Sequence, residues 1–192
     1  AGDKTGVEET RNWIDKKLSA VGIPHEFQKV ENGNALISAS VSGEDGDKHP
    51  SLLFYNHYDV VEEGKHELWS NEPFGPVIRD GVLYGRGVSD NKGPLLSRIQ
   101  AVEAILAVEG KLPINVKFLF EGDEETSSPS LSKFSREQSE KFKELSKADV
   151  CLWENGRRDE EGRPWARFGV RGSVSFELSV ETAKKDVHAR MG

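Results

Sequence analysis

The chain has 192 residues, with 26 Lys and Arg against 33 Asp and Glu and a formal net charge of −7. That length allows one good core and the start of a second, smaller one. The acidic balance, with no basic stripe, disfavours nucleic acid, and no apolar stretch approaches the roughly 18–20 residues needed to cross a bilayer.

Along the chain, Thr5 reads as the cap of a helix over 6–21, with Glu8 three residues on completing a capping box. Val7, Trp13, Ile14, Leu18 and Val21 form a rough apolar stripe, and Gly22 followed by Pro24 stops it. Strands are expected over 25–29 and 35–41, then a charged loop over 42–50. The uniformly apolar 51–55 suits a strand buried on both faces of a sheet. Residues 60–91 read mostly as loop, except that Asp80-Gly81 between two short apolar runs signals a hairpin.

Pro94 sits where a helix can start. Leu95, Ile99, Val102 and Leu106 recur at helical spacing up to 108, and Gly110 ends the run. A strand over 114–120 completes a strand-helix-strand unit that favours parallel pairing. A polar helix is expected over 130–145, a strand over 149–153 and a charged loop over 157–164. From 170 to 181 the pattern changes: Val174, Phe176, Leu178 and Val180 alternate with polar residues, as in a strand with one solvated face. The switch suggests a second sheet and a domain boundary near 169–172. Domains are therefore expected over 1–169 and 170–192. The single cysteine, Cys151, cannot form an internal disulfide and fits a reducing cytoplasm. It lies in an apolar run and reads as buried filler. The first four residues read as a polar cut end with no signal-peptide pattern.

The chemistry gathers at the ends of the apolar runs. His57 and Asp59 follow 51–55, Asp90 stands among Gly85, Gly87 and Gly93, Glu124 and Glu125 follow 114–120, and Glu154 follows 150–153. If those runs are neighbouring parallel strands, these residues share the sheet edge where open α/β sheets place their ligands. His57, Asp90 and Glu154 could supply three ligands to one zinc ion, which accepts imidazole nitrogen and carboxylate oxygen. Glu125 with a bridging Asp90 could begin a second site, so that two metals activate one water and clamp a carbonyl. Asp59 could accept the other imidazole N–H and fix its tautomer. In an extended chain Glu124 and Glu125 point apart, so one could bind metal while the other serves as general base.

Each piece also has an ordinary reading. A lone His-x-Asp is more often a surface ion pair, Asp90 could cap the helix starting near Gly93, and Glu154 before Asn155-Gly156 could open a turn. Gly85-x-Gly87 lacks the further glycine or Gly-Lys of a nucleotide loop. His25, His49 and His66 lack acidic company at strand ends and read as surface histidines. The ordered conjunction of one histidine and several acids favours the metal.

The segments Asn56-His57-Tyr58-Asp59-Val60, residues 83–93 (LYGRGVSDNKG) and Glu121-Gly122-Asp123-Glu124-Glu125-Thr126-Ser127-Ser128 resemble the signature of the co-catalytic dizinc peptidases. That family includes bacterial glutamate carboxypeptidase, carnosinase-type dipeptidases, aminoacylase and succinyl-diaminopimelate desuccinylase. The resemblance implies an α/β catalytic domain with a mixed, largely parallel sheet flanked by helices, followed by the first strands of an α+β lid and dimerisation domain. It implies two Zn2+ (Mn2+ or Co2+ are alternatives), with His57 and Glu154 on the first, Glu125 on the second and Asp90 bridging. Asp59 would orient His57, Glu124 would be general base, and the Asp90–Asn91 peptide would be cis. His188 would reach the partner's active site in a homodimer and hold the substrate carbonyl.

Two departures stand out. Ser127 and Ser128 replace a small residue and a glycine. The histidine that the second metal takes from far downstream in the family, along with most of the lid, does not occur in these 192 residues. The expectation is a cytoplasmic metallohydrolase that cleaves an amide bond of a small peptide. The alternatives are an N-acyl amino acid deacylase or desuccinylase, and an inactive fragment retaining partial metal binding. Neither nucleic acid nor a membrane is an expected partner.

Overall fold

The computed structural model describes residues 4–44, 46–169, 172, 174 and 176–180. The chain divides into two compact units, Ala1–Asn155 and Gly156–Gly192. The first unit opens with helix α1 (Lys4–Val21), then strands β1 (His25–Gln28), β2 (Leu36–Val41) and β3 (Ser51–His57). A hairpin of β4 (Val77–Arg79) and β5 (Val82–Tyr84) leads to a wide turn over Val88–Lys92 and helix α2 (Gly93–Glu109). Strand β6 (Asn115–Glu121), helices α3 (Pro129–Glu137) and α4 (Ser139–Ser146) and strand β7 (Val150–Trp153) complete it.

The main sheet runs β1-β2-β6-β3-β7. Its first two pairings are antiparallel, and β6-β3 and β3-β7 are parallel. The strand-helix-strand expectation for β3, α2 and β6 therefore holds, as does the mixed, largely parallel α/β class. Both faces of the sheet carry apolar side chains, because strand residues alternate between them. Val116, Phe118 and Phe120 of β6 pack with Ile37 and Ala39, and with Ile14 and Leu18 of α1 and Leu95, Ile99 and Val102 of α2. Leu119 turns the other way and joins Leu36, Leu53 and Phe134 of α3. Two helical layers on opposite faces thus hold β3 and β6 at the centre, and the site hangs on their C-terminal ends. Among the described residues, no helix is long and apolar enough to cross a membrane.

Several local expectations need correction. Thr5 lies inside α1, so it does not cap it, and Glu8 pairs with Arg11 at 3.0 Å instead of closing a capping box. The polar helix is two helices, because Gln138 leaves helical geometry (φ −124°, ψ 48°) while its N–H still donates to Phe134 O. Cys151 is exposed: β7 is the last strand of the sheet, and Val150, Leu152 and Trp153 are exposed beside it.

In the second unit, Gly156–Gly192, the charged loop contains a short ladder of β8 (Arg157–Arg158) and β9 (Pro164–Trp165). Asp159 shapes its turn, since one carboxylate oxygen accepts the N–H groups of Glu161 and Arg163 at 3.1 and 2.8 Å, as turn aspartates do. Of the alternating segment 170–181, residues 172, 174 and 176–180 are described and none is in a strand. A one-sided strand needs a ladder partner, and no described strand pairs with it.

Gly122, just past β6, is required by close approach: a Cβ there would fall on the Tyr58 ring. The Tyr58 hydroxyl donates to Ala35 O at 2.6 Å, so the ring cannot swing away without losing that bond. Gly122→Ala should therefore lower unfolding free energy by about 1–3 kcal/mol, the usual range for overpacking. Gly156→Ala, where a Cβ meets nothing within 4 Å, should leave it within about 0.5 kcal/mol. Urea denaturation of the two variants measures both.

Candidate metal centre

Four chain segments end beside one another. In the parallel β3-β6 pairing His57 lies opposite Glu121, and Tyr58 N donates to Glu121 O at 2.8 Å, extending the ladder one residue. Beyond β6 the chain makes a 3-10 turn over Glu124–Thr126. Beyond β7, Glu154 N donates to Tyr55 O at 2.9 Å, which keeps that residue alongside β3. The turn over Val88–Lys92 brings in Asp90, and the Asp90–Asn91 peptide is cis, in agreement with the resemblance. Asp90 does not cap α2: the capping position is Lys92.

His57 is fully buried and is the meeting point. Its Nε2 lies 3.0 Å from Asp90 Oδ1 and 3.9 Å from Glu124 Oε2. Its Nδ1 lies 3.2 Å from Asp59 Oδ1, on the opposite side of the ring. Two sets of residues have possible ligand atoms within 4.8 Å of one another: His57, Asp90 and Glu154, and His57, Glu124 and Glu125. The first set matches the expected first site. Among the described residues, Glu125 groups with His57 and Glu124, and no three-residue set joins it to Asp90. The premise that Glu124 and Glu125 sit on an extended chain is wrong, since they occupy a tight turn.

That turn is held by Asp59, whose part here the sequence did not reveal. One carboxylate oxygen accepts the Glu124 N–H and the other the Glu125 N–H, each at 3.1 Å. Asp59 therefore positions both the imidazole and the two glutamates. Burial by itself would raise the Asp59 carboxyl, but the hydrogen bonds from His57 and from the Glu125 N–H outweigh it and hold it below the usual carboxylate range. Burial likewise opposes protonation of His57, yet hydrogen bonds to Asp59 and Asp90, with the Glu124 charge, raise it to about 9.

Glu124 is pushed up, first by burial and then by the charges of Glu125, Asp59 and Asp90. Glu154 is raised by burial and then by Glu124. Five carboxylates around one imidazole hold more negative charge than His57 can balance. A donor set of imidazole and carboxylates with that excess suits a divalent cation.

Three further residues escaped the sequence reading. Asn91, fully buried, accepts from Asn56 and from the His57 N–H (3.3 Å), and donates to Asn155 Oδ1 at 2.7 Å. Asn155 in turn donates to Asp90 Oδ1 at 3.2 Å. Glu121, also fully buried, accepts from Tyr55 and Ser128; burial, with Asp123 adding to it, pushes it up to about 7. A glutamate directly after the buried Phe118-Leu119-Phe120 run was the available signal. His188 lies outside the described residues. His25 and His66 pair with Asp15 and Glu72 at 2.8 and 3.0 Å.

An α/β sheet with one buried histidine and several carboxylates at the carboxyl ends of its strands defines a metal-centre class of protein. Peptidase family M20/M25/M40 matches residues 53–183, and the chain belongs to that family. Over 142 residues it is 36% identical to Beta-Ala-His dipeptidase of Rattus norvegicus, covering 74% of this chain and 28% of that protein. It is also 36% identical to the probable di- and tripeptidase DUG2 of Saccharomyces cerevisiae, covering 95% of this chain and 22% of that protein. Among solved structures, the M20 family metallo-carboxypeptidase Sso-CP2 from Sulfolobus solfataricus superposes with a TM-score of 0.70 at 32% identity, over 82% of this chain and 34% of that one. The chain thus spans about a fifth to a third of the length of these relatives.

In metal-free protein the His57 ring should titrate near 9 in an NMR pH series, well above the ordinary 6.5. A folded value above the unfolded one means that protonated His57 contributes its full stability below about pH 6.5 and loses it as pH rises through about 9. In Asp59→Asn the midpoint should fall, since the partner charge is gone while burial remains.

Proposed function

We propose that the whole protein is a metal-dependent hydrolase that cleaves an amide bond of small peptides, of dipeptidase or carboxypeptidase type. The observation that carries this reading is the position of His57, a fully buried imidazole grouped with Asp90 and Glu154 at the strand ends. In this reading His57, Asp90 and Glu154 hold one divalent cation, and Asp90 and Glu125 contribute to a second. Zn2+ fits the donor types, as Mn2+ and Co2+ do. Bound cations would polarise the scissile carbonyl and make water more acidic.

Each side chain then has a task. Glu124, with its carboxyl raised by burial and beside His57 at 3.9 Å, takes the proton of the attacking water and hands it to the leaving amine. Asp59 accepts the Nδ1–H of His57, leaving Nε2 with a free lone pair for a cation. Asp59 also carries the Glu124-Glu125 turn on its two oxygens, so base and ligand keep a constant distance from the imidazole. The family resemblance further supports a lid and dimerisation domain from residue 170 and a homodimer in which His188 meets the substrate carbonyl across the subunits.

Glu124→Gln in the whole protein should lower kcat on dipeptides about 10²–10⁴-fold, the usual worth of a general base, with zinc content unchanged. Steady-state kinetics and metal analysis check this. Turnover of N-acetyl or N-succinyl amino acids in preference to dipeptides would move the assignment to the deacylase branch. Hydrolysis indifferent to Glu124→Gln would sink it.

A further inference from the structure

Arg98 lies on α2, outside every motif that carries the family resemblance, and its half-buried guanidinium reaches the ends of two strands. One terminal nitrogen donates to Tyr55 O at 2.7 Å, Asn56 Oδ1 at 2.5 Å and Leu152 O at 3.2 Å. The other donates to Trp153 O at 3.3 Å and Glu154 O at 2.6 Å. The guanidinium also lies over the Phe54 ring, 5.3 Å from its centre. A planar fork of donors is the chemistry that can gather several carbonyls at one point, which a lysine ammonium does less well.

Three of these acceptors, the carbonyls of Leu152, Trp153 and Glu154, belong to the stretch that delivers Glu154. Glu154 has a positive φ of 23°, a conformation that a residue with a β-carbon adopts only when its surroundings impose it. Its two backbone groups are both held: its N–H by Tyr55 O and its carbonyl by Arg98. Arg98 therefore grips β3 two residues before His57 and the chain just past β7 at Glu154 itself. A second connection leaves from Asn56, whose side-chain oxygen accepts from Arg98 and whose nitrogen donates to Asn91. Asn91 continues to Asn155, and Asn155 to Asp90 Oδ1. Arg98 is thus connected to all three members of the His57, Asp90 and Glu154 set.

We propose that Arg98 is a positioning residue for this cation site, holding the Glu154 backbone at the distance from His57 and Asp90 that the cation requires. The inference rests on the assignment of these three residues as ligands in the proposed function. Arg98 touches no ligand atom and acts through the main chain of Glu154 and the asparagine relay.

The test uses the whole protein with Zn2+ as probe, its affinity read by competition with a chromophoric chelator in wild type, Arg98→Met, Glu154→Ala and the double variant. Arg98→Met should weaken zinc at the His57, Asp90 and Glu154 set about 10- to 100-fold, the usual effect of losing a group that orients a ligand. In the Glu154→Ala background the same change should weaken zinc less than about threefold, because the group it positions is gone. Equal losses in both backgrounds, or none in wild type, overturn the role of Arg98 while leaving the ligand set intact. An unchanged affinity in Glu154→Ala would overturn the ligand assignment, and this inference with it.

Arg98→Lys keeps charge and stem but not the fork, and serves if the methionine variant fails to fold. It should also weaken zinc, and in zinc-free protein it should speed amide hydrogen exchange at Glu154 with the β3 and β6 amides unchanged. Acceleration spread evenly over the sheet would show a merely structural part and overturn the proposal.

Discussion

The constraint on which this site depends is the double use of one buried carboxylate. Asp59 is 1% exposed, faces His57 on one side and accepts two consecutive backbone N–H groups on the other. A carboxylate that accepts two backbone N–H groups and lies 3.2 Å from the His57 ring is satisfied in spite of burial, and that satisfaction joins the end of β3 to the turn after β6. The neighbouring ladder has the same purpose, with Tyr58 N bonded to Glu121 O and the Tyr58 ring packed on Gly122. Without these bonds the two strand ends would lie close together with no definite spacing between imidazole and glutamates.

The rest of the fold provides rigidity behind that junction. β3 and β6 are the central strands, covered by α1 and α2 on one face and α3 on the other. Close-packed interiors resist small displacements, so residues at the ends of such strands inherit a defined position. The fourth segment is different. β7 is the last strand of the described sheet and is largely exposed, so packing alone does little to locate Glu154. Polar contacts from Arg98 and from Tyr55 O take that part. Of the four chain ends at the site, those of β3 and β6 are therefore located by packing and that of β7 by hydrogen bonds.

Much of the fold was legible because it rests on local patterns. The helical recurrence of Leu95, Ile99 and Val102 and the C-capping Gly110 (φ 70°) mark α2, and the apolar 51–55 marks a central strand. Asp80-Gly81, both at positive φ, forms the expected hairpin. The failures share a cause. Cys151 lies in an apolar run, which says that a strand is present and nothing about whether it is central or last in its sheet. Gln138 is an ordinary helix former, yet it breaks the 130–145 helix where α3 buries Phe134 and α4 turns Phe142 and Leu145 to the same cluster. Thr5 and Glu8 have capping spacing, but the helix begins before them.

The amino-acid order by itself determined which chemical groups stand at the ends of the buried runs. One histidine and its acids follow apolar stretches, and alternation and helical period depend only on near neighbours in the chain. Tertiary structure decided how those groups are shared. It placed His57 in both donor sets, made Asp59 the support of the Glu124-Glu125 turn, and brought Arg98 from α2 to the carbonyls around Glu154. The physical reason is that hydrogen bonds between residues 65, 66 and 56 apart in the chain depend on the register of parallel strands and the docking of a helix. No local pattern encodes either.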